Sequence, residues 1–184
     1  DALTDSGFDV KLANTAAIQQ YNGLKYTDDD SDARWLAHLL RLGVLPQGYI
    51  YPREQRPVRD LLRKRGQLVR QRTANLLSIQ NLYTRNTGSS LSANEIKGLQ
   101  VQDIEGNVAV SDLALAIKAN LAVMQSADEQ VEILEERVIE LVELKREFIL
   151  LKTVPGIGQI LALTIMLETG DIRRFATVGN YASY

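Results

Sequence analysis

The hydrophobic positions of the chain begin in a two-residue rhythm and then settle into a three-to-four-residue one. Phe8-Asp9-Val10-Lys11-Leu12 alternates strictly between Gly7 and Asn14 and predicts a short strand. Ala2 and Leu3 before it read as the tail of a helix that Gly7 stops, and Thr15 to Tyr21 reads as helical. A strand between two helices suggests one unit of an α/β sheet, whose ligands sit beyond the carboxyl ends of its strands. The acidic stretch Lys25 to Asp32 opens a further helix with Trp35, Leu36, Leu39 and Leu40 on one face. Leu42 to Pro52, with Gly43, Pro46, Gly48 and Pro52, is a connector in which Gly48 to Tyr51 reads as a second extended segment.

Beyond Pro52 the helical period takes over. Val58, Leu61, Leu62, Leu68, Val69, Leu76, Ile79 and Tyr83 predict one long helix ending near Asn86 to Gly88. Ser92-Ala93-Asn94-Glu95 has capping-box spacing and starts a short helix that Gly98 ends; Val101 to Val110 is a turn-bearing connector. Ser111 to Thr153 predicts a single helix of about 60 Å. Its heptad seam is Met124, Ala127, Val131, Leu134, Val138, Leu141, Lys145 and Phe148, beside an acidic flank from Asp128 to Glu147. The two long helices are expected to form an antiparallel hairpin that dimerises, with the acidic flank facing a neighbour's basic residues. Val154-Pro155-Gly156-Ile157-Gly158 and the apolar run Gln159 to Leu167, stopped by Gly170, complete a second helical hairpin.

Composition narrows the chemistry. The 184 residues are 45% hydrophobic and 24% charged, an ordinary globular balance, and no apolar run approaches the ~20 residues a membrane span needs. With no cysteine and a single histidine, His38, thiolate and multi-histidine metal sites are excluded, so any metal must be held by oxygen. The net charge of −2 hides a segregation: between Arg53 and Arg72 the basic residues far outnumber Glu54 and Asp60. The chain begins inside a helix tail and ends without a stop signal, so an internal piece of a longer protein is expected.

Three groups are candidates for function. Asp29 and Asp32, three apart at a helix start, project from one face and are placed to share a divalent cation; a solvated acidic cap fits the same spacing, and Asp28 with Asp32 is a rival pair. Arg56, Arg59, Arg63 and Arg70 form a stripe suited to clamping phosphates, against the alternative of a solvated face with buried stems. Gly156 and Gly158 fit the helix-hairpin-helix pattern, in which backbone amides approach a phosphate, against a plain Pro-Gly turn. His38 and Trp35 read as partly buried helix residues.

Lys25 to Ala37 with Leu39 to Gly43, then Pro52-Arg53-Glu54, Val58 to Leu61 and Arg70 to Thr73, then Val154 to Gly158 with Phe175 and Tyr181-Ala182, stand in an order that resembles the DEDD transposases of bacterial insertion sequences, the bridge-RNA-guided recombinases. The resemblance covers essentially the whole chain. It implies a mainly α fold with a partial α/β remnant of a RuvC-like, ribonuclease H type domain (1–51), a coiled-coil region (52–153), and the start of a serine-bearing domain with a helix-hairpin-helix (154–184). It further implies that Asp29 and Asp32 are the last two of four magnesium-binding acids, and that the other two and the serine nucleophile lie outside these residues. DNA, a guide RNA and a second copy of the chain are the implied partners, Mg2+ the implied cofactor, and the bacterial cytoplasm and nucleoid the implied location. The fragment itself is expected to be inactive. Two other classes fit less of the pattern: a non-catalytic helical scaffold in which the seam pairs chains and the basic helix is incidental, told apart by comparing nucleic-acid binding at low and high salt, and a RuvC-type junction nuclease, which needs no serine domain.

Overall fold

The structure, a computed structural model, describes residues 1–18, 28–100, 102, 104, 111–142 and 145–184. The chain is mainly helical and divides into two compact units, Asp1–Pro52 and Arg53–Tyr184. No helix among the described residues is long and apolar enough to cross a membrane.

The first unit holds α1 (Ala2–Asp5), α2 (Thr15–Ile18) and α3 (Asp29–Arg41) around Ile18, Leu39 and Leu45, with Ala13, Trp35 and Leu36 packed against them. The face of α3 is as its pattern predicts except for Leu40, which stays 47% exposed. The strand expected at Phe8 to Leu12 does not form. Pairing there is confined to one antiparallel bridge, Ala13 opposite Gln47, flanked by Gly48 N–H donating to Leu12 O at 2.7 Å and Asn14 N–H donating to Pro46 O at 2.8 Å. Alternation makes a strand only where a neighbouring strand completes the ladder, and among the described residues no further bridge follows the Gly48 to Leu12 bond toward Phe8. Phe8 and Leu12 accordingly remain exposed. Lys25 to Thr27, and the part of the predicted Thr15 to Tyr21 helix beyond Ile18, lie outside the described residues.

The second unit is built on two long helices, α4 (Arg56–Thr87) and, after α5 (Ala93–Gly98), α6 (Ser111–Val142). Gly88 ends α4 in the left-handed region, φ 74°, where its N–H donates to Thr84 O, and the Ser92 and Glu95 capping box opens α5 as its spacing predicts. The connector at 105–110 is outside the described residues. The long helices pack antiparallel in a register fixed by two ion pairs: Arg65 Nε donates to Glu135 Oε1 at 2.7 Å, and Arg72 Nη1 donates to Asp128 Oδ1. Both partners are one heptad apart on their own helices, so the pairs lie along one side of the contact. Two acids of the flank, Asp128 and Glu135, therefore meet basic residues of the same chain.

The register that levels Arg65 with Glu135 also levels Leu62 with Val138, Leu76 with Met124 and Ile79 with Leu121. Apolar clusters form at either end. One gathers Leu76, Ile79, Ile96, Ile104, Leu113, Ile117, Leu121 and Met124. The other joins Leu62, Val138 and Val142 to Phe148 of α7 (Arg146–Lys152) and to Ala162, Leu163 and Leu167 of α8 (Gln159–Thr169).

Two expectations for the second long helix are corrected. It does not run unbroken to Thr153: α6 ends at Val142, Lys145 is extended with ψ 130°, and α7 starts at Arg146. No proline or glycine marks the break. On a continuous helix six residues would leave Phe148 about 120° around from Val142, whereas the break lets both bury in one cluster. The seam also drifts to later positions, because two turns of an α-helix take about 7.2 residues where the repeat has seven. It follows Met124, Ala127, Val131, Val138 and then Val142, all buried, while Leu141 is 39% exposed and Lys145 is exposed.

Beyond α8, Gly170 turns the chain with φ 63°, a 3₁₀ turn covers Ile172–Arg174, and α9 spans Val178–Ala182. Arg174 lies over the rings of Phe175 and Tyr184, 4.2 and 4.4 Å from their centroids, and its Nε donates to Thr169 O at 3.0 Å. This ties the end of the chain to the end of α8.

The corrected seam has a direct check in chemical denaturation. Val142→Ala, which opens a cavity in a closed cluster, is expected to cost about 1–3 kcal/mol, whereas Leu141→Ala at an open position is expected to stay within about 0.5 kcal/mol. A larger loss for Leu141→Ala would restore the strict heptad.

Candidate nucleic-acid interface and acidic pair

In the first unit the acids at the start of α3 divide by use. Asp28 is the N-cap: its carboxylate accepts from Ser31 N–H at 2.6 Å, and that bond holds its carboxyl below the ordinary aspartate value. Asp30 accepts from Arg34 Nε at 2.8 Å, one turn on. Asp29 and Asp32 are exposed and have no hydrogen-bond or ion-pair partner among the described residues. Asp28, the other candidate partner of Asp32, is thus also engaged as the cap of α3. Two hard oxygen donors on one helix face suit magnesium, which keeps several waters and takes one or two carboxylates with substrate phosphates. Among the described residues no group of three or more acids or histidines gathers to hold a metal.

In the second unit the arginine stripe of α4 is sorted by its neighbours. Arg59 and Arg63, one turn apart, converge on Glu168 of α8. Glu168 Oε2 accepts from Arg59 Nε at 3.0 Å, Arg59 Nη2 at 2.7 Å and Arg63 Nη2 at 2.9 Å, while Oε1 accepts from Arg63 Nε at 2.8 Å. The Arg63 bonds, opposed by partial burial and reinforced by Arg59, hold the Glu168 carboxyl below the usual glutamate range. Arg70 is exposed and makes no ion pair among the described residues. Arg63 and Arg70 line one groove of about 410 Å³ between α4 and α8, together with Leu62, Arg65, Gly66, Thr164 and Glu168. Arg56, half-buried at the first residue of α4, is not part of that lining.

Glu168 is the residue that the charge run of α4 could not reveal. Its signal was elsewhere: it is the single charged side chain on the apolar helix α8, and a lone carboxylate on such a helix needs a cation from another element. Gly156 and Gly158 sit in the turn between α7 and α8. Gly156 has φ 87°, a conformation that glycine adopts without strain, and Ile157 N–H donates to Val154 O at 3.0 Å across the turn. Gly158 is different: it is the N-cap of α8 with φ −77°, and a Cβ there would meet nothing within 4 Å. Neither backbone strain nor packing calls for glycine at 158.

The comparison with known families falls on this part of the chain. Residues 149–184 match the family model of the Transposase IS116/IS110/IS902 family. The matched segment contains most of α7, the glycine turn, α8 with Glu168, and the Arg174 cluster. Over these residues the chain is similar to insertion-sequence transposases. No curated protein matches the chain.

Because the folded Glu168 pKa is depressed, the stability it contributes is complete above the unfolded value of about 4.3 and is lost as pH falls through the folded one. Asp28, Glu95 and Asp171 shift in the same direction, so all four contribute to one acid limb. Glu168→Gln is expected to lower stability at neutral pH by about 1 kcal/mol and to make the loss of stability below pH ~4.3 shallower, read by denaturation at a series of pH values. An unchanged acid limb would show that the pair carries no folding energy.

Proposed function

We propose that the chain is the central part of an insertion-sequence DNA transposase that cuts and joins DNA under the direction of a guide RNA. The observation that carries the reading is the family match over 149–184. That Asp29 and Asp32 have no partner among the described residues, beside two acids already engaged locally, supports their assignment as two of four magnesium ligands in a RuvC-like domain. The remaining two acids and the serine nucleophile belong to parts of the parent that these 184 residues do not include, so the fragment alone is inactive.

The roles follow from chemistry. Bound magnesium would neutralise charge on the phosphate under attack. Asp29 and Asp32 hold hard oxygens toward it from a rigid helix turn whose start is fixed by the Asp28 and Ser31 capping box. The arginines of α4 take the backbone of DNA or guide RNA without reading its sequence. Gly156 and Gly158 shape a helix-hairpin-helix turn whose amides face a phosphate, and the missing side chain at 158 gives that phosphate room. A homodimer through the long helices would use faces outside the seam, because the seam is already buried within the chain.

In the full-length parent, Asp29→Ala and Asp32→Ala are each expected to abolish DNA cleavage while leaving the thermal unfolding midpoint unchanged, since both side chains are exposed. Undiminished cleavage in both variants would remove the acids from the site. Gly158→Ala is expected to leave stability within about 0.5 kcal/mol yet weaken DNA binding several-fold. Unaltered binding would reduce the turn to a connector.

A further inference from the structure

The groove between α4 and α8 is built in a way that folding alone does not account for. Gly66 sits in the interior of a 32-residue helix, where glycine costs about 1 kcal/mol relative to alanine. A Cβ at that position would meet only Arg70 Nη1 at 3.7 Å, an ordinary contact, so packing does not require its absence. What the glycine provides is depth. Around it stand Arg63, Arg65 and Arg70, three guanidinium groups in a lining that holds one carboxylate, Glu168. Thr164 of α8 also lines the groove, its hydroxyl donating to Ile160 O at 2.8 Å.

That carboxylate receives four hydrogen bonds from the forks of Arg59 and Arg63, all between 2.7 and 3.0 Å. Paired guanidinium forks converging on two oxygens of one anion are the donor set that also recognises phosphate. A phosphodiester carries the same single negative charge as the carboxylate, so exchanging one for the other leaves no arginine without a counter-charge. The exchange is open from the Arg63 side: the Arg63 side chain is 54% exposed and Glu168 30%, while Arg59 behind them is 15% exposed.

We propose that this groove is a binding site for a backbone phosphate of DNA, and that Glu168 occupies the Arg59 and Arg63 forks as an internal substitute until the phosphate displaces it. The inference rests on the nucleic-acid reading above and adds the place and the competitor. Glu168 then does two things: without DNA it fastens α8 to α4, and with DNA it releases the forks while the apolar cluster of Leu62, Val138, Leu163 and Leu167 keeps α8 in position.

The test compares the unaltered chain with Glu168→Gln in binding a short fluorescent duplex DNA over a range of salt concentrations. The amide removes the competing charge, so affinity at low salt is expected to rise about tenfold, and the log-log salt slope to steepen by about 0.9, the value of one phosphate contact. Equal or weaker binding by a folded Glu168→Gln protein overturns the proposal while leaving the nucleic-acid reading intact. Failure of both proteins to bind at any salt removes that reading and the site with it. Nitrogen-15 spectra of the arginine side chains in the unaltered chain give an answer independent of the variant's folding. On adding the duplex, the Nε–H signals of Arg59 and Arg63 are expected to shift while that of Arg72 stays. Signals of Arg59 and Arg63 that do not move in the DNA-bound protein overturn the proposal.

Discussion

The antiparallel contact between α4 and α6 is the constraint on which the second unit depends. A helix as rich in arginine as α4 repels itself unless acids are brought beside it, and the sequence carries those acids on α6, more than fifty residues away. Arg65 with Glu135 and Arg72 with Asp128 set the register, and partly exposed pairs of this kind contribute little energy individually. Their value is positional. A slip of the register would separate both pairs together and move Leu62, Leu76 and Ile79 off Val138, Met124 and Leu121, so charge and apolar packing specify the same alignment.

The same register distributes the arginines between two tasks. At about 100° per residue, positions 65 and 72 share a side of α4, while 70 lies about 160° from 72 and turns away from α6. Arg59 and Arg63 meet Glu168 on α8, and Arg63 and Arg70 line the groove beside it. A run that reads in sequence as one basic block is therefore divided in three dimensions between holding the hairpin, as Arg72 does, and bordering an open groove, as Arg63 and Arg70 do, with Arg65 at the boundary doing both. On the proposed function, this division lets one helix be both a scaffold and a phosphate-binding surface.

Much of this organisation was legible in the sequence where local chemistry decides it. The ends of α4, α5 and α8 lie at Gly88, the Ser92 capping box and Gly170, because a left-handed glycine or a reciprocal cap acts through its own few residues. The mainly helical class and the pairing of two long helices followed from period and charge. What sequence could not supply were outcomes set by distant partners. The alternating Phe8 to Leu12 has no complete ladder to join, since among the described residues the pairing stops at the single bridge of Ala13 with Gln47. The break after Val142 has no proline or glycine to announce it and exists because Phe148 buries against α8. Among the site candidates, the spacing of Asp29 and Asp32 was visible, but the engagement of Asp28 and Asp30 that sets them apart was not. Glu168 was passed over because its importance comes from Arg59 and Arg63, more than a hundred residues earlier.

The division of labour along α4 is the central claim, and two neighbouring arginines test it most directly. The measurement is the salt dependence of duplex DNA binding, made alongside the thermal midpoint, for Arg70→Gln and Arg72→Gln. The account predicts that Arg70→Gln lowers the magnitude of the log-log salt slope by about 0.9 with an unchanged midpoint, and that Arg72→Gln keeps the slope while lowering the midpoint. Equal losses of slope in both variants would contradict it, because they would mean that the basic block acts as one undivided charge.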